Sequence, residues 1–426
     1  MENTASTPAQ AGRSAFAVHE DWVSVILGFL IIIVSLLWFV VPVPSYAWNS
    51  WSVFSEDVLS ESNVYTILVQ FFYVGIIATG GVLLTGKPLK SFLLSFPVVY
   101  TVALAALIIE GNGFIKGLNL EAVIFSLSIG LLISNLFTLP KWFRSALCTE
   151  LFVKIGLVLL GTRIIFSDIL ESGTLGLMQA TIVVLVVWYF AYWLCRKFKL
   201  DDELTMMISS AVSICGVSAA IATAGAIKGD NKKLSYVISL VLIIAIPMMI
   251  FMPMIANHFN FSQEVTGAWL GGSIDTTGAV VASGSLVGDT ALKVSTIVKF
   301  SQNVMLGLAA FAISVYWTYT GKGDQVAGGK PTLGVIWDRF PKFVLGFVAA
   351  SLVFSFMLSA GAVDSVKGSI KNIQTIWFVL AFTSIGLETR FSDLFNTNSR
   401  RPLYVFVIAQ TFNVIVTLIV AYLLFN

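Results

Sequence analysis

The sequence has 426 residues, is 57% hydrophobic and only 11% charged, and has a mean hydropathy of +0.90. A soluble domain carries about 25% charged residues, so this is the composition of a polytopic membrane protein. A formal net charge of +2 gives a nucleic-acid role no electrostatic support. Cys148, Cys195 and Cys215 have the spacing of neither a disulfide framework nor a zinc site, and His19 and His258 fall outside the apolar runs, so no buried His-based metal site is expected.

Residues 1–21 are polar and lack the basic start of a signal peptide. The run that follows, 22–41, is about 20 residues long, the length of a retained span; cleavage near Tyr46–Ala47 is the alternative. Apolar segments then recur at 64–85, 91–110, 118–137, 149–170, 174–195, 204–227, 234–256, 264–287, 294–319, 334–359, 371–391 and 402–425, thirteen in all with the first. The longest polar linker is Thr320–Pro331. Residues 1–63 read as a tail, a first span and an external loop, and 64–426 as one membrane domain.

Positive charge orients these segments. With a cytoplasmic N-terminus, Lys87, Lys90, Lys141, Arg144, Arg196, Lys197 and Lys199 all fall inside, and the loops at 42–63 and 167–174 carry no Lys or Arg. The seventh segment breaks the pattern. If 204–227 crosses once, Lys228, Lys232 and Lys233 face outward. If it enters and returns, they stay inside, and by parity 264–287 must also be re-entrant, from the opposite side. Lys116, Lys293 and the pair Lys367 and Lys371 still run against the rule.

Composition agrees with re-entry. SICGVSAAIATAGAIKG (213–229) and WLGGSIDTTGAVVASGSLVGD (269–289) are both rich in Gly, Ala, Ser and Thr, and SAAIATAG (218–225) echoes TGAVVASG (277–284) in its small and β-branched spacing and closing Gly. Irregular backbone at membrane depth survives only when buried in protein or lining a cavity, and inverted broken segments meeting at the midplane mark secondary transporters. The alternative is a pair of ordinary helices packed through small faces. A second echo pairs LLGTRIIFSDIL (159–170) with SIGLETRFSDLF (384–395), Gly161 with Gly386 and Phe166-Ser167-Asp168 with Phe391-Ser392-Asp393. The two copies run antiparallel, yet the two echoes do not fit one simple duplication. The expected fold is all-α and polytopic: about 11 transmembrane helices plus two broken or re-entrant segments, at 204–230 and 264–290, in an inverted-repeat transporter.

Polar residues inside these segments are the candidate site. A carboxylate at membrane depth faces a cavity or a partner, so Asp275 is the candidate coupling-ion site, with Ser273, Thr276 and Thr277 supplying oxygens. Its alternative role is a helix cap in an external loop. Gly216 permits close backbone approach and Ser218 adds a donor beside a helix break, whose free N–H groups hold an anion. Lys299, with Ser295, Gln302 and Asn303 on the same face, either attracts the anion, pairs with Asp275, or snorkels to headgroups. Lys154 reads as a snorkelling residue near one helix end, and Glu388 and Arg390 as interfacial.

FVKIGLVLLGTRIIFSDIL (152–170), SICGVSAAIATAGAIKG (213–229), GGSIDTTGAVVASG (271–284) and TIVKFSQNVMLG (296–307) resemble the YeiH-type family of bacterial inner-membrane proteins, labelled sulfate exporters, over roughly 64–426. The resemblance implies a distant likeness to sodium/proton antiporters and bile-acid transporters, with inverted repeats and broken helices. The chain departs from the family pattern where Asp275 replaces a His, Thr276 a Glu, Ala279 a Gln and Gln302 a basic residue, which puts the substrate and coupling ion of that family in question here.

The functional expectation is a secondary transporter of a small anion, sulfate or an organosulfonate or carboxylate, in the bacterial inner membrane. The expected substrate-binding residues are Gly216, Ser218, Ser273, Thr276, Thr277, Lys299 and Gln302, and the coupling-ion residues Asp275 and Thr277. No cofactor is expected beyond Na+ or H+ as coupling ion; the oligomeric state is left open by the sequence, a homodimer being the assembly common among carriers of such architecture. No nucleotide-binding signature supports a primary pump. An anion channel shares the pore features and is the alternative. An intramembrane hydrolase lacks a His base for Ser218 and a second membrane aspartate for Asp275.

Overall fold

The computed structural model describes residues 18–117, 121–319, 334–390 and 400–426. The linker 320–331 and the second Phe-Ser-Asp of the sequence echo lie outside them. The described residues are helical, with one isolated bridge between Trp48 and Asn112.

Eight helices are long and apolar enough to cross a membrane: α1 (Glu20–Leu37), α2 (Glu61–Thr85), α3 (Leu89–Glu110), α6 (Phe166–Lys197), α9 (Asn231–His258), α12 (Asp289–Tyr319), α14 (Ala360–Glu388) and α15 (Arg401–Phe425). Three shorter ones complete the bundle: α4 (Ala122–Leu136), α5 (Thr149–Gly161) and α13 (Lys342–Leu352), the last continued by a π-helical turn to Met357. Among the described residues these eleven helices equal in number the spans expected, although only the eight long ones have crossing length. Pro97 in α3 and Pro247 and Pro253 in α9 sit inside helices, as packed membrane helices allow.

The two small-residue segments are hairpins. The first is α7 (Asp202–Ser210), a π-helical turn (Ala211–Cys215), a reversal at Gly216 and α8 (Val217–Ile227). Its start and end lie together: Lys233 pairs with Asp201 at 2.8 Å and Glu203 at 3.2 Å, and the Asp230 amide donates to Glu203 at 3.1 Å. The second is α10 (Gln263–Ser273), an extended turn and α11 (Thr277–Val287); the Ala291 amide donates to Gln263 Oε1 at 3.3 Å, which again joins start to end. The 28-residue α9 between them rises about 42 Å and places them on opposite faces. From Asp201 to Gly216 the chain rises about 22 Å and from Ser262 to Ile274 about 18 Å, so the tips meet near mid-depth. A Cβ on Gly216 would lie 2.9 Å from Asp275 Cβ.

One face of the bundle carries most of the lysines and arginines. There Glu20 holds Lys87 at 2.9 Å, and Lys154 is ringed by Asp21, Glu20 and Glu150 at 3.0–3.6 Å. Lys154 therefore ties α1 to α5 instead of snorkelling. Three of the exceptions to the charge rule, Lys116, Lys293 and Lys371, lie near carboxylates at the far face. Lys293 pairs with Asp168 at 2.7 Å, Arg163 with Asp289 at 3.1 Å, and Lys371 and Lys116 sit in the fields of Glu121 and Glu110.

The two sequence echoes become two nested inversions. One relates the first hairpin and α9 to the second hairpin and α12. The other relates α4–α6 to α13–α15, and its paired glycines share a role: a Cβ on Gly161 would meet Phe347 O at 2.3 Å, and one on Gly386 would meet Leu127 O at 2.5 Å. Overpacking such a crossing costs about 1–3 kcal/mol. Gly386→Ala is therefore expected to lower the thermal midpoint of the purified protein, whereas Gly368→Ala, with nothing within 4 Å, leaves it unchanged or raised.

The hairpins make a sharper test. Single cysteines at the exposed Lys199, Asp230 and Asn260 are expected to label from one side at 199 and 230 and from the other at 260. Labelling of 199 together with 260, with 230 labelled from the opposite side, would mean that 202–227 crosses.

Candidate functional site

A helix that stops at membrane depth leaves carbonyls without partners. The reversal of the first hairpin depends on Gly216 at φ +58°, ψ −106°, where a side chain is strained. The second turns through Ile274, Asp275 and Thr276, with Ile274 and Thr276 in extended conformation, and the Thr276 hydroxyl caps α11 by accepting from the Ala279 amide at 3.3 Å.

The orphaned carbonyls, three on each tip, are capped by four side chains. Lys299 on α12 is fully buried. Its ammonium donates to Ile214 O at 2.9 Å, Ile274 O at 2.8 Å and Gln302 Oε1 at 2.8 Å. Gln302, one turn on, donates to Ser213 O at 3.0 Å and Gly272 O at 3.2 Å. From α15, Asn413 donates to Val212 O at 3.0 Å and Ser273 O at 3.3 Å, and Gln410 to Ser273 O at 2.7 Å. Lys299, Gln302 and Asn413 each bridge both hairpins.

In this structure Lys299 and Gln302 hold backbone carbonyls. Every ammonium proton of Lys299 is taken by protein oxygens, so it neither snorkels nor ligates an anion directly. Asp275, 2% exposed, is not among its acceptors either, and Asp275 Oδ2 has no hydrogen-bond partner. Ser273 Oγ and Gln410 Oε1 are likewise buried without a partner.

Two cavities open beside α5, which both use Glu150 and Val153. One, of about 230 Å³, runs from His19, Asp21 and Lys154 to Cys215, Ser218, Thr277 and Asn303. The other, of about 320 Å³, runs from Glu20, Lys87 and Glu388 to Val217, Thr276, Gly278 and Ala279. Both reach the N-termini of α8 and α11, where free N–H groups and two helix dipoles converge. Asn303 Nδ2 donates to Thr277 Oγ1 at 3.3 Å, while its Oδ1 has no partner. Of the expected residues, Ser218, Thr276 and Thr277 line cavities, whereas Gly216, Ser273, Asp275, Lys299 and Gln302 lie on neither wall. Asn303, Gln410 and Asn413 were outside the expected set. Polar side chains at 410, 413 and 417 on one face of the apolar last segment were the available signal.

Residues 93–405 match the family model described as Conserved hypothetical protein 698. The chain belongs to the UPF0324 family of membrane proteins. A UPF0324 membrane protein of Rhodopirellula baltica is 39% identical over 89% of this chain and 71% of its own length. One of Nitratidesulfovibrio vulgaris is 36% identical over 83% of the chain, and one of Nitrosomonas europaea 28% identical over 89%. The chain spans 62% of the Nitratidesulfovibrio relative's length and 90% of the Nitrosomonas one. No solved structure matches. The family resemblance read from the motifs is borne out, and the UPF0324 names say only that these are membrane proteins.

Removing the Lys299 ammonium orphans Ile214 O and Ile274 O, at about 1–3 kcal/mol for each buried acceptor. Lys299→Met is therefore expected to cost about 2–6 kcal/mol in thermal or denaturant unfolding. A Lys299 that served the substrate alone would leave stability unchanged in that variant.

Proposed function

We propose that this UPF0324 protein is a secondary transporter that moves a small anion by alternating access. The observation that carries the reading is the pair of oppositely inserted hairpins whose tips meet at mid-depth, with two half-helix N-termini facing a cavity. Secondary transporters bind substrate where irregular backbone of inverted elements meets at mid-depth, which supports the reading. A cavity of about 230 Å³ lies below the usual range of about 300–1,000 Å³ for drug-sized ligands, which favours an anion of the size of sulfate, a short sulfonate or a short carboxylate.

In this reading Ser218 and Thr277 donate hydroxyl hydrogens to the anion, the first-turn amides of α8 and α11 supply further donors, and Asn303 orients Thr277. Lys299 acts through space, as a fixed positive charge behind the tips. Asp275 carries the coupling ion, Na+ or H+. Both cavities reach toward the basic face, which the charge rule makes cytoplasmic, so the molecule is open inward. The two far-face pairs, Arg163 with Asp289 and Lys293 with Asp168, close the other side. The bacterial relatives favour the inner membrane as its location.

The test is counterflow of labelled sulfate, methanesulfonate and acetate in proteoliposomes. Saturable exchange of at least one is expected, and no flux for any of them sinks the reading. Flux that never saturates favours a channel. Ser218→Ala and Thr277→Val each remove one hydrogen bond to a charged ligand, about 1.5–3 kcal/mol, and are expected to raise the KM for exchange about tenfold or more, with folding intact.

A further inference from the structure

The unpaired oxygens around the second tip have one economical solution. Asp275 is 2% exposed and Oδ2 has no partner. The side-chain amide of Gln410 lies against this carboxyl, held there by its bond to Ser273 O at 2.7 Å, and its own Oε1 has no donor. The neighbouring cation, Lys299, gives all three protons to Ile214 O, Ile274 O and Gln302. An ionised carboxylate without a direct partner is costly in such a place. We propose that Asp275 holds a proton in this inward-open state, donates it to Gln410 Oε1, and binds it together with the anion, so that proton and anion cross in the same direction.

A single proton changes Oδ2 from an orphaned acceptor into a donor and gives Gln410 Oε1 the donor it lacks. A metal ion fits less well. It needs a shell of several oxygens, yet the carbonyls of Gly272, Ser273 and Ile274 already accept protein hydrogen bonds. Neither cavity wall includes Asp275.

The coupling half rests on the transporter reading and follows from charge. Three acceptors around Nζ require an ammonium at Lys299. With Asp275 neutral, the joined tips carry one net positive charge, reinforced by the dipoles of α8 and α11. With Asp275 ionised, that charge is cancelled. An anion beside Ser218 and Thr277 is held by the protonated form and released by the ionised one, and by linkage the anion tightens the proton in return. The titratable groups in the field of Asp275 are Lys299 on α12 and Cys215 on the first hairpin; α15 contributes the uncharged Gln410 and Asn413.

Two measurements on the full reconstituted chain separate the halves. Infrared difference spectroscopy on a pH step is expected to show the carbonyl stretch of a buried protonated carboxyl at neutral pH, lost in Asp275→Asn. In Gln410→Leu, which leaves Asn413 on Ser273 O, the band is expected to persist at a higher frequency, the acid having lost its acceptor. Absence of any Asp275-dependent band overturns the proton site, whatever the flux assays give. In proteoliposomes, an acid-outside gradient is expected to drive wild-type accumulation of whichever anion exchanges, without Na+. Asp275→Asn, which lacks the titratable proton, loses at least ten-fold of that accumulation, and its counterflow no longer varies with pH. Accumulation driven by Na+, or pH-driven accumulation surviving in Asp275→Asn, overturns the coupling. If the wild type moves none of the anions, the coupling half falls with the transporter reading and the infrared band still decides the proton site.

Discussion

Two interrupted helices cannot end in the middle of a bilayer unless something replaces the water that their last carbonyls would otherwise meet. Here that replacement is a set of side chains on α12 and α15. Lys299, Gln302, Gln410 and Asn413 accept the task for the carbonyls of Val212, Ser213 and Ile214 on one tip and of Gly272, Ser273 and Ile274 on the other. The near-symmetry of the two carbonyl triplets is the inverted arrangement expressed at atomic scale. The hairpin geometry, the approach of Gly216 to Asp275 and the exposure of two helix N-termini to the cavities all depend on these bonds.

The same bonds divide the labour at the centre. In the proposed transport, the charge that attracts an anion and the surface that touches it belong to different residues. Lys299 supplies field from a position sealed by protein, while Ser218, Thr277 and first-turn amides form the surface. The cavity mouths carry Glu20, Asp21, Glu150 and Glu388 against Lys87 and Lys154. Under the proposed function, attraction for an anion comes from the depth of the molecule and not from its entrance. Lys154 is held by three carboxylates and belongs to the junction of α1 with α5.

Much of the architecture was readable from charge and composition. The lysines after the seventh segment, at 228, 232 and 233, gave the hairpins by parity, and the small residues agreed. The helix count followed from apolar length. What could not be read was the partner of each polar residue. Lys299 on an apolar helix has the same appearance in sequence whether it binds a ligand or caps backbone, because the capped groups are main-chain carbonyls that no residue type announces. Gln410 and Asn413 went unremarked for the same reason: their function exists only once two other segments have broken beside them. Conversely, the breaks themselves were visible, since Gly216 and the Ser-Ile-Asp-Thr-Thr run are poor at continuing a helix. The Gly161 and Gly386 echo, ambiguous as a duplication, proved to mark equivalent close crossings in α5 and α14.

The order of these parts along the chain has a consequence for biogenesis. Both hairpins precede the side chains that cap their tips: the first ends at Ile227, yet its carbonyls wait for Lys299 and Gln302, and then for Asn413 in the last helix. While the chain emerges, an inserted hairpin would hold bare carbonyls in hydrocarbon, at several kcal/mol each. The hairpins therefore settle to full depth only after α15 has been made. Until then α9 is the sole membrane-spanning anchor between two segments that wait at opposite surfaces, and the final step of assembly is their joint descent onto a finished pair of helices.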